Sequence, residues 1–140
     1  MGVLPGDPWP ERHLHAKQGV RVLICDDNRD AADTLDVLIR LHHHETAICH
    51  DGEGCLKKAK AWQPDVLLLD LGMPVMDGLE VAREVRATDW GRRVLLVAVT
   101  AWGSSEDIER TQAHGFDAHF TKPADMDKLL AVLKQAEVRS

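Results

Sequence analysis

The chain has 140 residues, 44% of them hydrophobic and 29% charged, with a formal net charge of −6. That composition describes one domain with a single core. It excludes a membrane span, which needs a longer apolar run, and a nucleic-acid surface, which needs a basic patch. Cys25, Cys49 and Cys55 cannot all pair and form no C-x-x-C motif, so they read as small buried hydrophobes in a reducing cytoplasm. No basic stretch followed by an apolar run opens the chain, so no signal peptide is expected.

Residues 1–18 carry Gly2, Pro5, Gly6, Pro8 and Pro10 without a periodic apolar pattern. They read as a flexible leader or linker ahead of a domain over 19–140. The first strand is expected over Val20–Cys25 and runs into Asp26, Asp27 and Asn28. Asn28 suits a helix N-cap, with Asp30 in the first turn and Leu35, Leu38 and Ile39 at core spacing up to about Leu41. His42, His43 and His44 are consecutive, so they point in different directions and do not converge on an ion.

A second strand is expected over Thr46–His50, and a helix over Glu53–Trp62 with Leu56 and Ala59 inward, stopped by Gln63-Pro64. The third strand, Val66–Leu69, is four apolar residues bounded by Asp65 and Asp70, the pattern of a parallel strand buried on both faces. Gly72 and Pro74 then break regular structure. Asp77 to Glu80 has capping-box spacing and opens a third helix to about Ala87, with Leu79, Ala82 and Val85 or Arg86 inward.

Val94–Val99 is a fourth buried strand, ending in Thr100-Ala101. Ser104 and Asp107 again have capping-box spacing and open a helix to His114, stopped by Gly115. That helix has little to bury beyond Ile108 and Ala113, and should be loosely held. Asp117–Thr121 is a fifth strand, followed by Lys122-Pro123 and a helix over Asp125–Glu137 with Met126, Leu129, Leu130 and Leu133 inward.

Strands alternating with helices predict an α/β fold, a doubly wound five-stranded parallel sheet. A flavodoxin-like strand order, 2-1-3-4-5, puts its switch point between strands 1 and 3, the strands that deliver Asp26, Asp27 and Asp70. Three carboxylates at one crevice repel unless a cation compensates, and Mg²⁺ suits such a set of hard oxygen ligands.

With Asp26-Asp27 after strand 1, Asp70-Leu-Gly-Met-Pro after strand 3, Thr100-Ala101 after strand 4 and Lys122-Pro123 after strand 5, residues 20–137 resemble the receiver domain of two-component response regulators. The resemblance implies a phosphoacceptor, not an enzyme with a separate substrate. Asp70 would take a phosphoryl group from a histidine kinase or histidine phosphotransfer protein. Asp27 would bind Mg²⁺ directly and Asp26 mostly through water, with Asp70 and the Gly72 carbonyl completing the set. Lys122 and Thr100 would each engage a phosphoryl oxygen, and a cis Lys122–Pro123 bond would aim the lysine. Phosphorylation would then switch the face made by the fourth helix, fifth strand and fifth helix. No downstream target is implied.

Two positions depart from the family pattern. His119 stands where the family usually has an aromatic that swings inward with Thr100, and adds a titratable group there. Trp102 stands two residues after Thr100, where a small or polar residue is common. With Gly72 it would flank the line along which water attacks the acyl phosphate. An Asp-nucleophile phosphatase is disfavoured because it needs a second Asp where Gly72 stands. A phosphorylation-independent interaction module is the other alternative. The run from Asp26 to Leu35 resembles receivers fused to hybrid histidine kinases.

Overall fold

A computed structural model describes residues 19–139. The leader expected over 1–18 lies outside the described residues. Five strands, β1 (Arg21–Cys25), β2 (Glu45–Cys49), β3 (Val66–Leu69), β4 (Leu95–Thr100) and β5 (Ala118–Thr121), form one sheet in the order β2-β1-β3-β4-β5. Every pairing is parallel. The connections are α1 (Arg29–Arg40), α2 (Gly52–Trp62), α3 (Gly78–Arg86), α4 (Ser105–Ala113) and the closing α5 (Met126–Arg139). The flavodoxin-like order expected from the alternation is the one observed.

The central strands are apolar apart from Arg21 at the start of β1 and Thr100 at the end of β4, because both faces are covered. Leu23, Leu67, Leu69 and Leu96 pack with Cys55, Ala59, Val81 and Val85 of α2 and α3 on one face. Val22, Ile24, Leu68 and Val97 pack with Ala32, Leu35, Ile39, Leu129 and Leu133 of α1 and α5 on the other. Each fully buried Leu or Val contributes about 1.5–3 kcal/mol by area. Cys25 and Cys55 are buried, Cys49 is partly so, and all three are free thiols.

Capping at Asn28, Asp77 and Ser104 follows the sequence signals, and Asp51 is a further cap. Asn28 accepts from Ala31 N–H, Asp51 from Gly54 N–H and Asp77 from Glu80 N–H. Ser104 and Asp107 make the full reciprocal box. Strand ends shift by one residue at β1, β2, β4 and β5, as terminal pairing decides them and periodicity does not. A 3₁₀ turn at Trp90–Arg92 had no sequence signal.

The helix faces needed more correction. In α3, Val81 is buried and Leu79 only partly so. In α4, Ile108 is exposed and Thr111 is the buried residue. Arg86, ambiguous in the α3 stripe, is a hub. Its guanidinium donates to the carbonyls of Gly91 (2.8 Å), Arg92 (3.3 Å), Val94 (2.6 Å) and Gly115 (2.8 Å). It also pairs with Asp117 at 2.9 Å, and the same Asp117 oxygen takes the Leu96 N–H. These groups lie at the entry ends of β4 and β5, opposite the acidic strand ends. Of the three consecutive histidines, His44 is buried, with Nδ1 accepting from Val20 N–H at 3.1 Å. Burial holds its pKa below the ordinary value, as an acceptor nitrogen requires.

Candidate functional site

Parallel strands carry their C-terminal residues to one edge of the sheet, and the backbone keeps these residues level. Asp26 N–H bonds Cys49 O at 3.1 Å, Asp70 N–H bonds Cys25 O at 2.9 Å, and Lys122 N–H bonds Thr100 O at 2.7 Å. Asp26, Asp27 and Asp70 each offer an oxygen, and these oxygens lie within 4.8 Å of one another. No other group of three acidic, histidine or cysteine ligands converges in this way among the described residues. Asp70 also caps its own loop, since Gly72 N–H donates to Oδ1 at 3.1 Å. Capping and clustering therefore coexist at this residue.

Lys122 reaches into the cluster. Its Nζ lies 2.7 Å from Asp26 Oδ2 and 3.5 Å from Asp70 Oδ2. The Lys122–Pro123 peptide is cis, as the resemblance implies. Burial alone would push the lysine pKa down, but the two carboxylates outweigh it and hold the ammonium above its ordinary range. Asp26 moves up, and the first cause is burial. Its side chain is 3% exposed. Repulsion from Asp70 adds a smaller push, while Lys122 and the Asn28 N–H oppose both. Mutual repulsion, the reason offered by the sequence, is thus secondary to burial.

One ammonium against three carboxylates leaves the pocket negative, and all the converging donors are hard oxygens. This set fits Mg²⁺, which is held by a few carboxylates plus water. It does not fit a soft metal, which selects sulfur.

The buried Asp26 sets up an expected stability change. A carboxylate whose folded pKa is raised favours the fold below its ordinary value of 3.8 and opposes it as pH rises. Asp26→Asn keeps the Asn28 contact and removes the buried charge. In metal-free buffer at neutral pH the variant should therefore be more stable by about 1 kcal/mol. The gain should vanish as pH falls below the ordinary carboxylate range. Thermal melts with chelator across that range check it, and a variant less stable at neutral pH would contradict it.

Thr100 is fully buried, and its Oγ1 accepts from Trp102 N–H at 3.2 Å. Trp102 lies over the loop after β3. A Cβ built on Gly72 would meet its ring at 3.3 Å, closer than ordinary packing allows. Glycine is what lets the indole approach so closely, so Gly72 and Trp102, the two residues expected to flank the line of water attack, are one contact. His119 bonds Trp102 O through Nε2 at 2.8 Å and faces Thr111 Oγ1 through Nδ1 at 3.2 Å. Thr111 was missed in the sequence because a threonine on a polar helix carries no periodic signal.

The sequence model of the response regulator receiver domain matches residues 22–134. The response regulator MprA of Mycobacterium ulcerans is 34% identical over 116 residues, 82% of this chain and 49% of that protein. The chain thus spans about half the length of the curated relatives it matches. Among solved structures, the receiver domain of the sensor histidine kinase PA1611 of Pseudomonas aeruginosa, described with magnesium in its active-site cleft, is 28% identical. It superposes with a TM-score of 0.78, covering 85% of this chain and 98% of that one. The chemotaxis protein CheY4 of Vibrio cholerae is 27% identical with a TM-score of 0.77, covering 83% and 97%.

Proposed function

This chain belongs to the response regulator receiver family, and from that premise we propose that it is a phosphoacceptor of a two-component phosphorelay. The observation that carries the reading is the convergence of Asp26, Asp27, Asp70 and Lys122 at the carboxyl edge of the sheet. Asp70 attacks the phosphorus of a phosphohistidine on a histidine kinase or phosphotransfer protein. The P–N bond breaks, an acyl phosphate forms, and the imidazole takes up a proton as it leaves.

Asp27, Asp26, Asp70 and the Gly72 carbonyl are the groups that would hold Mg²⁺. When bound, the ion supplies neutralisation of charge on the transferring oxygens. Lys122 sits ready to pair with a phosphoryl oxygen in place of a carboxylate. The Thr100 hydroxyl accepts from Trp102 and keeps its own proton to donate to another phosphoryl oxygen. The chain assists its own phosphorylation and dephosphorylation and turns over no separate substrate. Its place of action is the cytoplasm, and its readout is the face of α4, β5 and α5. That face fits a switching role because α4 buries only Thr111.

Incubation with acetyl phosphate and Mg²⁺ should add one phosphoryl group per chain, and chelation of the metal should prevent it. Asp27→Ala should weaken Mg²⁺ binding far more than Asp30→Ala, because Asp30 lies in the first turn of α1 and outside the converging set. Equal uptake with and without metal, or equal losses in the two variants, would overturn the assignment.

A further inference from the structure

We propose that Thr111 and His119 are positioning residues, a tether that holds the loop after β4 and keeps the Trp102 ring against Gly72, two residues beyond Asp70. The consequence for lifetime rests on the phosphoacceptor reading, but the tether itself follows from hydrogen-bond chemistry.

The Trp102 carbonyl can only accept. The imidazole nitrogen 2.8 Å from it, Nε2 of His119, therefore carries a hydrogen. In the neutral ring this leaves Nδ1 as an acceptor, facing the Thr111 hydroxyl at 3.2 Å, whose single hydrogen is shared between Nδ1 and the nearer Ile108 O. The same hydroxyl lies 2.8 Å from Ile108 O. If the ring is protonated, Nδ1–H donates to the hydroxyl and the hydroxyl turns to Ile108 O. A hydroxyl takes either role, so the bond from Nε2 to the Trp102 carbonyl persists in both states.

The rest of the loop is equally constrained. Trp102 is held through its N–H by Thr100 and through its carbonyl by His119. A Cβ on the following Gly103 would fall 2.3 Å from Thr121 Oγ1, so the backbone lies directly on β5. Thr111 is 1% exposed and is the buried residue of α4, and its hydroxyl lies between Ile108 O and His119 Nδ1. Where the family pattern has a ring that swings, this chain has one fastened at both nitrogens. Loosening it should let Trp102 leave Gly72 and admit water to the aspartyl phosphate.

Losing one such bond should raise the open fraction of the loop, and with it the rate of phosphoryl loss, about fivefold. The test compares aspartyl phosphate decay, after charging with acetyl phosphate and Mg²⁺, in the wild type, Thr111→Val, Thr111→Ser and His119→Phe. Thr111→Val and His119→Phe should both decay faster, and Thr111→Ser should decay as the wild type does. Imidazole ¹⁵N chemical shifts should show the Nε2–H tautomer in all Thr111 variants, with the Nδ1 resonance moved toward its unbonded position in Thr111→Val and unmoved in Thr111→Ser. Wild-type decay and an unmoved Nδ1 resonance in Thr111→Val would overturn the tether. So would a Thr111→Ser variant that behaves like Thr111→Val, which would reduce Thr111 to packing. A wild type that takes up no phosphoryl group would overturn the phosphoacceptor reading instead, and the Nδ1 resonance would still decide the tether.

Discussion

Asp70→Asn should reduce phosphoryl uptake from acetyl phosphate to background, a loss on the order of a thousandfold or more. The amide is nearly the same size and still offers an oxygen to the Gly72 N–H that now bonds Asp70 Oδ1. Lys122 keeps its shorter contact, the 2.7 Å bond to Asp26. The fold and the loop after β3 therefore have little reason to change. What goes is the anionic nucleophile, since an amide oxygen neither attacks phosphorus readily nor yields a stable acyl phosphate. Intact mass spectrometry after charging measures uptake, and an unchanged melting temperature would show that the loss is chemical. Label on the variant at wild-type level would place the acceptor elsewhere.

Trp102→Glu should speed loss of the phosphoryl group on the order of tenfold or more. In the native chain the indole lies over Gly72 and is 42% exposed, so one side faces solvent while the other covers the loop beside Asp70. On the phosphoacceptor reading, a large apolar ring there would exclude water from the acyl carbonyl and phosphorus. Gly72 itself presents no polar group to orient a water. Glutamate removes the cover and supplies a carboxylate able to position and deprotonate an attacking water. Decay of the charged protein in excess chelator gives the rate. An unchanged rate would make Trp102 an exposed aromatic without bearing on lifetime. A long lifetime suits a relay intermediate or a slow output better than a rapid on–off signal.

Most of the fold and the whole acidic cluster were legible because they rest on strong local patterns. Val66–Leu69 has no polar residue and so announces a two-sided strand, and each acid follows directly on such a run. What escaped depends on partners distant in the chain. Arg86 looks like a polar interruption in an apolar stripe, yet its role is set by carbonyls of the 3₁₀ turn, of Val94 and of Gly115. Thr111 and His119 are ordinary residues whose meaning appears only when α4 is laid on β5. The source of the Asp26 shift was also hidden, because charge count is visible in a sequence and depth of burial is not.

The Arg86 hub gives α4 a fulcrum. Gly115, immediately beyond the helix and at φ +86, has its carbonyl gripped by Arg86, while Asp117 two residues on is gripped as well. The other end of α4 hangs from the loop that carries Trp102. A helix of nine residues is about 14 Å long, so a shift at its pocket end cannot slide the whole element and must tilt it about the pinned end. Displacement is then greatest near Ser105 and falls toward Ala113. A partner that reads this surface would register an angle more than a translation, and the bottom of the domain would stay still while the top leans.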